Sequence, residues 1–380
     1  MKIGLIATVG FNIGDDFIRE GICSVLREVF RGKDIQFTIV DKHHPFTAYP
    51  WWHPYQLARH THYLPRGSYR ANIWLGKYAS PLAHSVLDSC DLVVQCGAPI
   101  AWYSCSSIWW ADPLWKNTIA RISQKGVPVL NLGVGSNYPW ERQPSSIDDS
   151  SVDGASDAKY LTDILSYCRF TTVRDKLLQK LFHNLGSDCP FIPCPAFLAG
   201  KQFVTPHSNG DIFLINYMEG GGHFDFKQHI DASAWRETVK NIVQNVKRTQ
   251  PVVFLCHDQK EYELADTIDP SLPRVLPKSL REYFSIIMLA KMGLCNRLHA
   301  SMALAGLGIP SVAVGADTRL LMVDGVGLPT LYVKDATQDR IEALLDKLSH
   351  RLPAERNRLL CLREETHAEY IGAVKRTLSV

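Results

Sequence analysis

No long block of one charge sign runs through this 380-residue chain, in which 41 Lys and Arg stand against 38 Asp and Glu for a formal net charge of +3. Proteins that grip nucleic acid gather Lys and Arg on one stripe or face, so no nucleic-acid partner is expected. No segment approaches the roughly 18 uninterrupted apolar residues of a membrane span. The opening MKIGLIATVG is too short an apolar run for a secretory leader and reads directly into a strand. The expectation is a cytoplasmic chain that does not cross a membrane. No internal repeat is visible, and no CxxC pair occurs among the ten cysteines. Cys23, Cys90, Cys96, Cys168, Cys256 and Cys295 sit in apolar stretches, as buried free thiols do. Cys189 and Cys194 have no His or Cys at zinc-ligand spacing nearby, so no metal is expected there.

What is present is ordinary globular material, 46% hydrophobic and 21% charged, in a length that suits two domains. Strand-length apolar runs alternate with amphipathic helical stretches, the pattern of an α/β fold with parallel sheets. Strands are expected at Lys2–Val9, Ile35–Val40, Leu92–Cys96, Val127–Leu132 and Phe170–Val173, with a helix over Asp15–Phe30. A second series follows at Ile212–Tyr217, Val252–Cys256, Leu294–Asn296, Ser311–Val314 and Leu331–Val333. Its helices are expected at Ala232–Lys247, Leu280–Leu289, His299–Leu307 and Gln338–Leu348. The polar segment Gln202–Gly210 reads as the linker, which divides the chain into a domain over residues 1–204 and another over 205–380. The architecture expected is two Rossmann-like, doubly wound domains facing across a cleft, with a final helix near Ala354–Thr377 packing back on the first. The stretch from His43 to Ala79 breaks the alternation. Its aromatic and basic composition, including Trp51 and Trp52, suits stacking on a ligand, or else a partly ordered surface insertion, and His60 and His62 lack the third ligand a metal site needs.

Ligands of doubly wound sheets bind at the carboxyl ends of strands, and four polar segments fall at such ends. Asn12-Ile13-Gly14-Asp15 follows the first strand, where Asp15 would cap the helix. Thr171-Thr172-Val173-Arg174-Asp175 ends a strand on an arginine placed to clamp a carboxylate or phosphate, or else to pair with Asp175. Asn296-Arg297-Leu298-His299-Ala300 places Arg297 and His299 at the first turn of a buried helix, where free N–H groups and the helix dipole favour an anion; an interdomain salt bridge is the alternative. Glu219-Gly220-Gly221-Gly222-His223 could let backbone amides approach a phosphate, or could be a flexible loop.

In this order and spacing the segments resemble the polysaccharide pyruvyltransferase family. The resemblance rests on Asn12-Ile13-Gly14-Asp15, Val173-Arg174-Asp175 with Leu181 and Leu185-Gly186, and Arg297-Leu298-His299-Ala300 with Gly308-Ile309-Pro310 and Asp317. It implies a GT-B-like pair of domains that transfers a pyruvyl group from phosphoenolpyruvate to two hydroxyls of a saccharide or lipid-linked saccharide, forming a cyclic ketal in cell-surface polysaccharide synthesis. A lipid-linked acceptor would bring the enzyme to the membrane surface. The resemblance carries Arg174, Arg297 and Leu298 over as donor-binding residues, beside Gly220 and Gly221. His299, and after it Asp15, would move protons near neutral pH; Asn12, Gly14, Trp51 and Trp52 would face the acceptor. No metal or other cofactor is required. Cys194-Pro195-Ala196-Phe197 departs from the family's Asp-Pro-x-Phe, removing a carboxylate. The rival functions on the same architecture are a nucleotide-sugar glycosyltransferase and a non-catalytic anion-binding protein.

Overall fold

A computed structural model describes residues 1–9, 12–42, 85–107, 116–147, 154–203, 210–223 and 225–380. Two parallel sheets organise them. The first is built from β1 (Lys2–Ala7), β2 (Gln36–Asp41), β3 (Leu92–Cys96), β4 (Pro99–Ala101), β5 (Val129–Ser136) and β6 (Phe170–Val173), in the order β2-β1-β3-β5-β4 with β6 also on β5. The second contains β7 (Ile212–Asn216), β8 (Val252–Leu255), β9 (Arg274–Val275), β10 (Ala290–Cys295), β11 (Ser311–Gly315) and β12 (Thr330–Tyr332), in the order β12-β11-β10-β7-β8-β9. β10 begins four residues before the expected Leu294, because the exposed Lys291 interrupts the apolar pattern while the pairing to β7, after a register irregularity between Ala290 and Met292, runs from Ala290 to Cys295. β4 and β9 are too short to leave a pattern in the sequence.

Helix α1 (Ile13–Val29) shows how sequence sets an element here. Phe17, Ile18, Ile22, Val25, Leu26 and Val29 form its buried face, Asp15 and Asp16 lie in its first turn, and Arg27 lies in its last. Asn12, not Asp15, is its N-cap: the extended Asn12 backbone starts the helix at Ile13, and Asn12 Oδ1 accepts from Gly14 N–H at 2.9 Å. Asp15 is thereby left inside the first turn. Among the described residues the remaining helices are α2 (Thr118–Gln124), α3 (Gly154–Tyr167), α4 (Lys176–Asn184), α5 (Ala232–Val246), α6 (Gln259–Ile268), α7 (Leu280–Ile287), α8 (Leu298–Gly306), α9 (Leu320–Asp324), α10 (Gln338–Ser349) and α11 (Leu352–Leu378).

One apolar cluster runs through both halves, from Leu5 and Phe17 through Phe197 to Met302 and Leu304. Its middle is the 3-10 segment Pro195–Gln202, wedged between α1 and α8. Two glycines make that wedge possible. A Cβ on Gly21 would stand 1.9 Å from the Pro195 carbonyl oxygen, and one on Gly306 would stand 2.3 Å from that of Phe197. Phe17 packs on Tyr283 and Phe284 of α7 with ring centroids 4.7 and 5.5 Å apart. Helix α11 crosses back to the first half, where the Tyr370 hydroxyl donates to the Pro193 carbonyl at 3.1 Å. At the opposite side of the cleft, Pro139 and Asp317 form an antiparallel bridge, and Thr318 Oγ1 accepts from Tyr138 N–H at 2.9 Å. Among the described residues no helix is long and apolar enough to cross a membrane. The expected linker lies mostly at residues 204–209, outside the described residues.

Gly21→Ala should therefore destabilise the protein. The substitution gains about 1 kcal/mol in helix propensity, but it drives a methyl into backbone that cannot swing aside, an overpacking cost of roughly 1–3 kcal/mol or more. Denaturant unfolding monitored by circular dichroism should show a lower midpoint; an unchanged or higher midpoint would mean that the wedge yields freely.

Candidate active site

Both sheets reverse direction at a strand that faces the cleft. In the first sheet β1 lies between β2 and β3, and in the second β7 lies between β8 and β10. Such reversals open a crevice at the carboxyl ends of the strands. The two crevices meet in one cavity, lined by Asn12 from the first half and by Gly221, Gly222, His223, Arg297, Leu298, His299, Asp317 and Arg319 from the second. Asn12, expected on the acceptor side, thus shares a wall with residues expected to hold the donor.

Arg174 follows β6 and is 1% exposed. The sequence alternative, a surface arginine paired with Asp175, is wrong. Asp175 caps α4 instead, accepting from Leu178 N–H at 2.8 Å, Ser136 N–H at 2.7 Å and Ser136 Oγ–H at 3.0 Å. Arg174 Nη1 lies 3.6 Å from Cys194 Sγ and 3.5 Å from His299 Nε2. Its Nη2 has no hydrogen-bond partner among the described residues. A buried guanidinium edge without an acceptor is costly, and an anion is the natural group to complete it.

Arg297 is treated differently. It occupies the N-cap position of α8, and its backbone N–H donates to Asn216 Oδ1 at 2.7 Å. Its side chain pairs with Asp258 at 2.6 Å and, through Nε, with the buried Glu261. Both carboxylates belong to its own half, so the salt bridge foreseen as an alternative exists but is not interdomain. Nη1 faces His223 Nδ1 at 3.5 Å on the cavity side. Burial raises the Glu261 carboxyl above its ordinary range, opposed by Arg297.

His299 sits in the first turn of α8, whose following residues are almost all buried. Its ring rests on Gly14: a Cβ there would lie 2.7 Å from His299 Nδ1. Gly14 is thus a space for the imidazole. An arginine only donates, so Nε2 must present its lone pair to Arg174 and the neutral ring carries its proton on Nδ1. Burial first, and then Arg174, Arg319, His257 and Arg297, hold its pKa well below the ordinary 6.5. The expectation of titration near neutrality is corrected: within this ring of cations the imidazole is neutral at pH 7.

Three further groups, Arg319, Lys42 and His257, escaped the sequence reading. Asp317 takes both Nε and Nη2 of Arg319 at 2.8 and 2.6 Å, fixing a third guanidinium on the cavity wall. Lys42, buried at the end of β2, has its pKa lowered to about 8, by burial first, with Asp15 opposing and Arg174 adding to the shift. Burial also raises the Asp15 carboxyl, against the pull of Lys42 and Arg174. His257, after β8, reaches Asn12 Oδ1 across the cleft at 3.3 Å. Only three-dimensional contact identifies these residues; none stands in a recognisable local pattern.

Gly220 and Gly221 take φ of +69° and +72°, and a Cβ on Gly221 would strike Val333 at 2.6 Å. The loop therefore has a defined turn that glycine permits. Trp51 and Trp52, with the whole of the aromatic stretch 43–79, lie outside the described residues, as do His60 and His62. Among the described residues no three His, Cys, Asp or Glu side chains converge as metal ligands.

No curated protein sequence gives a significant match. Solved structures do resemble the fold. The UDP-GlcNAc 2-epimerase from Neisseria meningitidis bound to UDP-GlcNAc is 11% identical, with a TM-score of 0.55 over 100% of this chain and 99% of that one. The S. aureus MnaA-UDP structure is 12% identical, with a TM-score of 0.58 over 100% of this chain and 97% of that one. The UDP-GlcNAc 2-epimerase from Methanocaldococcus jannaschii is 11% identical, with a TM-score of 0.50 over 91% and 92% of the two chains. At these identities the likeness is one of fold: paired Rossmann-like domains across a cleft, the GT-B arrangement. The family comparison is more specific, for the polysaccharide pyruvyl transferase model matches residues 12–318. That span opens on Asn12 at the cavity wall and closes on Thr318 at the interdomain seam, and this chain belongs to the polysaccharide pyruvyl transferase family.

Proposed function

We propose that the protein transfers a pyruvyl group from phosphoenolpyruvate to two hydroxyls of a saccharide, free or lipid-linked, in the cytoplasm. The observation that carries this reading is the buried Arg174, whose Nη2 has no hydrogen-bond partner among the described residues, set beside the neutral His299 at a helix N-terminus. Phosphoenolpyruvate bears a carboxylate and a phosphate on one three-carbon skeleton. Arg174 would take one anionic group and the Arg297 and Arg319 side of the cavity the other, with the α8 N-terminus adding its dipole.

The chemistry suits a neutral imidazole. Once an anionic group of the donor draws the Arg174 N–H away, the freed Nε2 lone pair of His299 would take the proton of the first sugar hydroxyl and pass it to the methylene carbon, which becomes the methyl group as the sugar oxygen bonds to the central carbon. A depressed pKa makes the intervening imidazolium a strong acid, as protonation of carbon demands. Phosphate leaves as the second hydroxyl closes the ketal, taking that hydroxyl's proton. Asp15 and Lys42, coupled through space to each other and to Arg174, would orient the hydroxyls.

The two arginines should separate experimentally. Arg174→Met removes a charge-assisted contact worth roughly 1.5–3 kcal/mol, about 10- to 150-fold in affinity, without orphaning a carboxylate. Calorimetry should show weakened phosphoenolpyruvate binding with unfolding stability kept or raised. Arg297→Ala strands the buried Glu261 and should cost up to about 3–5 kcal/mol of stability, less whatever Glu261 recovers by protonation. Undiminished phosphoenolpyruvate affinity in Arg174→Met would refute the donor assignment.

His299 adds a pH signature. The folded pKa is depressed, so above the ordinary 6.5 the residue is neutral whether folded or unfolded, and stability declines as pH falls below 6.5 while only the unfolded chain takes up the proton. His299→Gln should remove this component, so that its unfolding free energy falls less than that of wild type as pH drops from about 7 to about 5, read by denaturant unfolding. The same variant should lower turnover by about 10²–10⁴; wild-type turnover with weakened binding would leave His299 as a positioning group.

A further inference from the structure

We propose that His257 is a positioning residue that turns the Asn12 amide across the cleft, so that its Nδ2 hydrogens are presented to an oxygen of the bound donor. This rests on the reading of the cavity as the phosphoenolpyruvate site. The argument begins with Asn12 Oδ1, which accepts from Gly14 N–H at 2.9 Å and faces His257 Nδ1 at 3.3 Å. The opposite amide orientation would set the NH2 group against the Gly14 N–H, donor against donor, so the oxygen must point inward. An oxygen of this kind only accepts, and His257 must therefore carry its proton on Nδ1. In a neutral imidazole Nε2 is then an acceptor. The fully buried Tyr283 supplies the matching donor, its hydroxyl 2.9 Å from that nitrogen.

Every hydrogen in the chain from Tyr283 through His257 to Asn12 is thus assigned, and each link has one direction. Burial and the nearby Arg297 keep the imidazole neutral, which the arrangement requires. Its plane is set by edge contacts with Phe17 and Tyr283, at interplanar angles of 85° and 79°. Its backbone N–H donates to Glu261 Oε2 at 2.8 Å, and the other oxygen of that carboxylate holds Arg297 Nε. One carboxylate therefore registers His257 and the cavity arginine together. With Oδ1 committed on the protein side, the amide presents Nδ2 to the cavity that Asn12 lines. Because Asn12 precedes α1 and His257 follows β8, the bond exists only with the two halves closed.

The variants follow from the two ring nitrogens. His257→Gln places its amide near the former Nε2, keeping an acceptor for Tyr283 but losing the donor to Asn12. His257→Asn places an NH2 near the former Nδ1; combined with Tyr283→Phe it keeps the Asn12 bond without orphaning a hydroxyl. Asn12→Ser retains a helix cap and deletes Nδ2. Calorimetric affinity for phosphoenolpyruvate should fall about 10-fold or more in Asn12→Ser and in His257→Gln, and should stay within about 3-fold of wild type in the Asn and Phe combination. The double variant Asn12→Ser with His257→Gln should lose no more than either alone, since both break one linkage. Thermal unfolding of each variant confirms that the comparison is between folded proteins. Wild-type affinity in His257→Gln or Asn12→Ser, or additive losses in the double variant, would overturn the proposal. Arg174→Met separates this from the donor reading: if it too leaves affinity unchanged, the cavity is not the phosphoenolpyruvate site.

Discussion

A buried guanidinium without a carboxylate is the constraint on which the rest of this site depends. An unpaired charge away from water costs several kcal/mol, and a fold retains it only when the surroundings leave no alternative geometry. Here Arg174 lies over Gly135, where a Cβ would be 2.6 Å from Nε, and its Nη1 is held between Cys194 Sγ and His299 Nε2. The nearest acid in sequence, Asp175, is withdrawn by Ser136 and Leu178. The thiol at position 194 offers only a weak acceptor, and although Asp15 and Asp175 act on Arg174 through space, no carboxylate among the described residues hydrogen-bonds to its Nη2.

The second arginine shows the opposite solution. Arg297 is held by Asp258 and Glu261, which fix its fork at the start of α8 and subtract its charge from the site. Its role is geometric as much as electrostatic. Around the cavity the cations thus differ in kind: one bare and buried, one carboxylate-bound at a helix N-terminus, and one, Arg319, held bidentately by Asp317. Burial first, with these cations adding to it, keeps His299 neutral, and burial with Arg297 does the same for His257. Closure makes this field possible, since Gly14 and Gly21 let α1 approach the second half closely enough for the imidazole to lie against it and for the Pro195–Gln202 wedge to fit.

Much of this was legible in the sequence, for identifiable reasons. Parallel strands buried on both faces read as continuous apolar runs, so Leu92–Cys96 and Phe170–Val173 could be bounded to the residue. Arg174 and His299 were recognisable because a charged side chain at a strand end or helix start has no role in a core. What sequence spacing cannot reveal is partnership across the fold. Glu261 and Arg297 are 36 residues apart, and His257 and Asn12 are 245 apart. Nothing in the sequence marks Lys42, which the end of β2 buries close enough to Asp15 for their charges to couple. The error over the α1 cap has a local cause: Asn12 and Asp15 both satisfy the composition rule, and only the extended backbone at Asn12 decides between them.

The central claim, that the bare edge of Arg174 receives an anionic group of the donor, is tested most directly by a crystal structure of the protein with phosphoenolpyruvate. The account predicts the ligand in the cavity shared by Asn12 and Arg319, with a carboxylate or phosphate oxygen at hydrogen-bond distance from Arg174 Nη2 and the methylene carbon turned toward His299 Nε2. Phosphoenolpyruvate bound elsewhere, or bound in this cavity with Arg174 Nη2 still unpaired, would contradict it.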